Sequence, residues 1–276
     1  MALLVTLVGL PSHAPARSGA SNDLKRAAAL AAHLLPGQRV PNSPEIPSGT
    51  TEDVSYYNWS GYADDNSAGA TYTHVAGKWV QPTVKCLSTE DETAVFWVGL
   101  DGFSDSTVEQ DGTEAYCQNG TASYYTWWEM YPTNDIEVVG SSVQPGDAIS
   151  SSVNFANGKY TLAVTDTTNP SNSFSVSEKC GSGLTCANAS AEWIAETPGY
   201  ARGDSPWPSY GKWTVSSASV TSSTGGMVPD TSSSGVISSF PDDQITIVGN
   251  RSEPLATTGS LTTSGAGFPV TWAYTW

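Results

Sequence analysis

Ala148-Ile-Ser-Ser-Ser-Val-Asn-Phe155, then Asn157-Gly158, then Tyr160-Thr-Leu-Ala-Val-Thr165 is the reading that decides the fold. Two runs rich in β-branched and aromatic residues flank an Asn-Gly pair, a strong local signal for paired strands around a tight turn. Working outward, Thr71-Tyr-Thr-His-Val-Ala-Gly-Lys-Trp-Val80 has the same character. Gln244-Ile-Thr-Ile-Val248 and Val270-Thr-Trp-Ala-Tyr-Thr-Trp276 alternate with period two. Gln144-Pro-Gly146, Gly181-Ser-Gly183 and Gly225-Gly226 supply further turns, and after residue 55 no long amphipathic helix competes. The expectation is an all-β fold, an antiparallel two-sheet β-sandwich of the jelly-roll or concanavalin-like kind. Residues 216–239, rich in Ser, Thr and Gly, are expected to form a strand followed by a long loop.

The amino-terminal part is different. Residues 1–16 combine a short apolar run with Ala14-Pro-Ala16 and fit a signal segment, although the usual basic start is missing. Residues 17–50 form a leader and linker. Asn22-Asp-Leu-Lys-Arg-Ala-Ala-Ala-Leu-Ala-Ala-His-Leu-Leu35 is the best helix in the chain, with Gly37 beyond its end and Pro41, Pro44 and Pro47 following. Residues 51–276 are expected to be a single β-sandwich domain, the whole chain being exported and extracellular.

Charge narrows the partners. The 276-residue chain carries 27 acidic and 11 basic residues, a net charge of −16. Asp23 and Glu45 are the only acids before residue 46, against the bases Arg17, Lys25, Arg26 and Arg39, so the body holds 25 acidic and 7 basic residues. Such a surface repels nucleic acid and anionic membranes; neither is expected as a partner. With so few cations, the body suits an acidic medium, because protonating its carboxylates leaves little positive charge to drive it apart. The basic leader against the acidic body suggests an electrostatically docked propeptide. Nothing in the chain demands more than a monomer.

The common catalytic schemes fail on residue supply. Of three histidines only His74 lies in the body, within a strand-like run and without a Gly-x-Ser-x-Gly elbow. No His-Glu-x-x-His signature occurs, no His stands at ligand spacing from the cysteines, and no metal or other cofactor is expected. Cys86, Cys117, Cys180 and Cys186 in an exported chain favour two disulfides, with three pairings open; Cys180 with Cys186 would staple a tight loop, and Cys86 with Cys117 would tie neighbouring segments. Asn58, Asn119, Asn188 and Asn250 each open an Asn-x-Ser/Thr sequon. Any hydrolytic chemistry must therefore rest on carboxylates and amides.

Four segments carry those groups: Phe96-Trp-Val-Gly-Leu-Asp-Gly102, Thr107-Val-Glu-Gln-Asp-Gly-Thr113, Tyr124-Tyr-Thr-Trp-Trp-Glu-Met-Tyr-Pro132 and Ala191-Glu-Trp-Ile-Ala-Glu196. In this order, across residues 55 to 276, they resemble the eqolisin family of glutamic peptidases, acid endopeptidases that use a Gln/Glu pair. The resemblance implies two sheets of about seven strands each, with a groove for an extended peptide, unfolded protein as substrate, and a leader acting as intramolecular inhibitor. It places Gln110 and Glu192 at the catalytic positions. Glu192 would take a proton from water and return it to the leaving amine; Gln110 would hold the water and donate to the oxyanion. Trp97 would wall the cleft and join the water network, Asp101 would sit by Gln110 and order it, and Glu129 would face the substrate. Glu109 and Asp111 depart from the best-known fungal pattern around the glutamine and, in a strand, should point away from it. Two other readings stay open on the residues: a carbohydrate-active or glycan-binding sandwich with Glu129 and Glu192 as its carboxylates, and a disulfide-stapled module without catalysis.

Overall fold

A computed structural model describes residues 36–41, 52–65, 69–198, 207–224, 233–249 and 253–273. The expected signal segment, the helix of the leader and residues 274–276 lie outside these. The described chain is strands joined by loops and two single-turn 3₁₀ segments. In order the strands are β1 (Glu52–Tyr56), β2 (Trp59–Asp64), β3 (Thr71–Val80), β4 (Glu92–Leu100), β5 (Val108–Gln118), β6 (Thr121–Tyr131), β7 (Glu137–Gly140), β8 (Ala148–Ala156), β9 (Lys159–Asp166), β10 (Phe174–Glu178), β11 (Ala191–Glu196), β12 (Lys212–Thr224), β13 (Ser233–Gly235), β14 (Asp242–Val248), β15 (Pro254–Thr258) and β16 (Phe268–Trp272).

The opening hairpin forms as read: Ile149 to Ala156 face Asp166 to Lys159 in register, with Asn157 and Gly158 in the left-handed region at the turn. The strands follow one hydrogen-bonded path, β10-β9-β8-β3-β12-β16-β15-β14-β2-β11-β4-β5-β6-β7. The 13-residue β12 belongs to both layers. Its first half (Lys212 to Val215) pairs with β16, and its second half, from Ser216, pairs with β3. Ser217 sits between at φ 52°, where the register slips, and such a bulge bends a strand from one layer into the other.

The layers are thus unequal and continuous along one edge, unlike the expected pair of seven-stranded sheets. The smaller runs β10 to β12 with β13; the larger runs β16 to β7 with β1. One described pairing, β1 with β14, is parallel.

Alternation along each strand sorts side chains to two faces. From the larger sheet Phe96, Val98, Leu100 and Trp193 meet Val75, Trp79, Val153 and Leu162 of the smaller one, and this is the main core. The other face of the larger sheet carries a second apolar cluster, including Tyr56, Trp59, Trp97, Phe103, Val108, Trp127 and Ile194. A sandwich face that would ordinarily meet water is here lined with aromatics. The disulfides are Cys86–Cys117, which ties the segment after β3 to β5, and Cys180–Cys186, with Cα separations of 5.7 and 5.9 Å.

Candidate active site

The site is built from one transverse row across the larger sheet. Ala63 of β2 pairs with Glu192 of β11, Glu192 with Gly99 of β4, Gly99 with Gln110 of β5, and Gln110 with Glu129 of β6. Directly paired residues of neighbouring strands point to the same face, so Glu192, Gln110 and Glu129 all project onto the aromatic side. Gln110 and Glu192 stand two strands apart, about 10 Å between backbones, and the residue between them has no side chain. A Cβ on Gly99 would come within 2.8 Å of the Trp97 ring and 3.2 Å of the Gln110 Cβ. The gap over Gly99 is therefore a space that glycine keeps open.

Hydrogen bonding around that gap is incomplete in an informative way. Gln110 Nε2 donates to Glu129 Oε2 at 2.7 Å, which turns Oε1 of Gln110 away from Glu129. That Oε1 and both carboxylate oxygens of Glu192 are buried without a hydrogen-bond partner. Exposure is 0 % for Glu192 and 1 % for Gln110 and Glu129. Unpaired buried acceptors are costly, and three of them on side chains that flank Gly99 on one face mark a place that suits a polar molecule. Burial pushes the Glu192 carboxyl well above its ordinary range, with Asp101, Asp105 and Glu109 adding to the rise and the nearby Ser190 hydroxyl opposing it. Burial does the same to Glu129, reinforced by Glu196 and opposed by the Gln110 bond.

The next row, Ile194-Trp97-Gly112-Trp127, forms the wall beside the pair. Trp97 meets Trp59 edge-on at 5.0 Å between ring centroids, and its Nε1 donates to Glu196 Oε2 at 2.9 Å. The indole N–H is thus committed to Glu196. Glu196 is also joined by Asn58 Nδ2 at 3.3 Å. Neither residue is among those the sequence points to for the site; Asn58 reads there only as the start of a sequon. The signal for Glu196 was present, since it lies four residues after Glu192 on a strand of period two and must share its face.

Asp101 sits in the turn that follows β4. Strand β4 ends at Leu100; Asp101 and Gly102 then take positive φ, 67° and 97°, and alternation stops. The Asp101 carboxylate accepts from the backbone N–H of Asn188 (2.8 Å) and Ala189 (2.5 Å). It fixes the chain entering β11, and hence Glu192, while the Gln110 amide bonds Glu129. The turn at Gly102, where a Cβ would strike Val108 at 2.5 Å, also sends Phe103 back to stack on Tyr56 at 5.6 Å. Glu109 and Asp111 point to the other face, as alternation requires: Asp111 accepts from the Ser151 hydroxyl of the smaller sheet, and Glu109 lies against Asp101.

The peptidase A4 family profile matches residues 57–253, which include Gly99, Gln110, Glu129 and Glu192. The chain belongs to the peptidase A4 family. Aspergillopepsin-2 of Aspergillus niger is 28% identical over 218 residues, covering 67% of this chain and 75% of that protein. Among solved structures, scytalido-glutamic peptidase with a transition state analog inhibitor superposes with a TM-score of 0.63 at 20% identity, over 79% of this chain and 98% of that one. Aspergilloglutamic peptidase from Aspergillus niger gives a TM-score of 0.52 at 24% identity, over 66% and 99%. At these identities the structural likeness speaks to fold. This A4 peptidase, an eqolisin, is a glutamic-type peptide hydrolase on the sandwich fold its sequence announced.

Proposed function

We propose that this eqolisin is a secreted acid endopeptidase in which Glu192 and Gln110 activate one water held over Gly99. The observation that carries the reading is the row Glu192-Gly99-Gln110, whose two side chains on one face hold three buried acceptor oxygens without a partner. A water there would donate to Glu192 and to Gln110 Oε1, leaving a lone pair for the scissile carbonyl. Glu192 takes the water's proton as the C–O bond forms, and returns it to the amine as the C–N bond breaks. Gln110 Nε2 carries two hydrogens; one goes to Glu129 and the other is available to the oxyanion. An amide keeps that donor at any pH, which suits work in acid. Trp97 and Trp59 wall the site and exclude bulk water, while Glu129 orients the glutamine.

Glu192 must lose its proton to act as a base, and the present burial opposes this. Opening the covered face to water would bring its carboxyl back toward the ordinary range, near pH 4. Substrates would be unfolded chains able to lie extended. Residues 17–50 would serve as a propeptide and 51–276 as the catalytic domain. Lys25, Arg26 and Arg39 would face ionised carboxylates at neutral pH and let go as these protonate; a leader affinity equal at pH 4 and pH 7 would exclude that release.

The deciding experiment digests denatured protein at about pH 3 to 4, within the carboxylate range, with wild type, Gln110→Ala and Glu192→Gln, folding being checked by circular dichroism. Cleavage by wild type and none by either variant supports the pair. Equal activity in all three removes it.

A further inference from the structure

Residues 36–41 are laid against the domain in extended fashion around one antiparallel bridge. Val40 N donates to Ser55 O and Tyr57 N to Gln38 O, both at 2.9 Å, with Arg39 opposite Tyr56 in antiparallel register. The contact then passes to Asn58, whose side-chain amide reads one stretch of main chain from both sides. Its Oδ1 accepts from Gln38 N at 2.8 Å, and its Nδ2 donates to Pro36 O at 3.4 Å. Gly37 N donates to Gly102 O at 2.9 Å, on the loop that folds Phe103 over the site. Asn58 is itself tied to Glu196, and Glu196 to Trp97, the wall of the Gln110/Glu192 pair.

These five hydrogen bonds all go to backbone atoms of residues 36–40, which is how proteins hold extended peptides of varied sequence by strand addition. One position is restricted. A Cβ on Gly37 would lie 2.5 Å from Tyr56 Cε1 and 2.9 Å from Trp59 Cε3, so the place it fills admits glycine alone unless the two rings move. Resting on the peptidase reading above, we propose that the track formed by Ser55 O, Tyr57 N, the Asn58 amide and Gly102 O is a substrate-backbone recognition track, and that residues 36–41 fill it as a substrate-like strand. Asn58 is then a binding residue that reads the peptide bond, and the Tyr56/Trp59 box is a subsite for a residue without a side chain.

The test uses the full chain. Gly37→Val expels the strand: trypsin at neutral pH cuts after Arg39 at least tenfold faster, and the unprocessed chain digests denatured protein in acid at least tenfold faster than wild type. The synthetic peptide Pro-Gly-Gln-Arg-Val-Pro restores inhibition competitively, whereas the same peptide with valine in place of glycine does not. The trypsin readout is repeated in Glu192→Gln, where catalysis is absent and the acceleration must persist. Faster cutting with no gain of activity, in a chain whose wild type cleaves denatured protein in acid, overturns the track; no cleavage by any form of the chain counts against the Gln/Glu reading instead. Unchanged cutting after Arg39, or inhibition that is non-competitive or equal for both peptides, overturns the track.

Discussion

Gln110 and Glu129 face each other across β5 and β6 and share a 2.7 Å hydrogen bond from the amide to the carboxyl. This bond decides which end of the glutamine looks at the gap over Gly99. In the acid range the raised Glu129 carboxyl is neutral, so the contact survives as a neutral hydrogen bond without stored charge.

Removing the acceptor should free the amide to turn. Glu129→Leu is expected to lower kcat about 100-fold, in the range of losing one oriented oxyanion donor, with KM little changed. Glu129→Gln, which can still accept through its own oxygen, should lose about tenfold or less. Steady-state kinetics on one peptide separates these from equal losses, which would deny the orienting role.

Gly99→Ala places a methyl group where the proposed water sits, between the Trp97 ring and Gln110. Activity should fall at least about 100-fold, while stability drops by about 1–3 kcal/mol for overpacking. A folded, fully active Gly99→Ala enzyme would show that nothing reacts over that position.

Asp101→Ala takes the acceptor from Asn188 N and Ala189 N, at a cost of about 2–3 kcal/mol for the orphaned donors. Hydrogen exchange at those two amides should speed up together with a fall in kcat, because the entry to β11 no longer fixes Glu192. Exchange faster there but unaltered kcat would confine Asp101 to stability.

Stability should fall as pH rises. Burial raises Asp101 to about 7, with Asp105 adding to it, and raises Asp111 and Glu114 to about 8 against their hydrogen bonds; it carries Asp64 and Glu109 well above their usual range. The folded state therefore holds protons that the unfolded chain gives up near pH 4. The stability these groups contribute is complete below that point and is lost as pH climbs through 7 and 8. Scanning calorimetry should show a higher Tm at pH 4 than at pH 7. Asp111→Asn, an uncharged isostere, should leave the pH 4 value nearly unchanged and raise the pH 7 value by several degrees. A Tm that rises toward neutrality would contradict the buried, proton-holding core.

The two disulfides should differ in weight. Cys86–Cys117 spans 31 residues and Cys180–Cys186 spans 6, so loop-closure entropy gives about 4 and about 2 kcal/mol. Replacing each pair by serine and comparing urea midpoints checks the ordering.

The strands whose two faces meet different surroundings were the readable ones. Thr71 to Val80 forms β3 over the full span expected, and the hairpin around Asn157-Gly158 keeps its register. The bend at Ser217 was not readable, because a serine in a Ser-rich run gives no sign of a φ that only the two competing partners, β16 and β3, impose. Asn58 reads as the start of a sequon, yet it is buried against Glu196 and clamps residues 36–38.

The sequence by itself determined an all-β body, a strongly acidic net charge and the four segments that carry the family resemblance, because period, charge and local motif are properties of neighbours along the chain. The tertiary structure alone decided that Gly99 separates Glu192 from Gln110, that Asp101 serves the backbone of Asn188 and Ala189, that the cysteines pair as 86–117 and 180–186, and that residues 36–41 lie against Asn58 and Gly102. Cross-strand register and the path of the loop after Leu100 set those distances, and both depend on residues far apart in the chain finding one shared energy minimum.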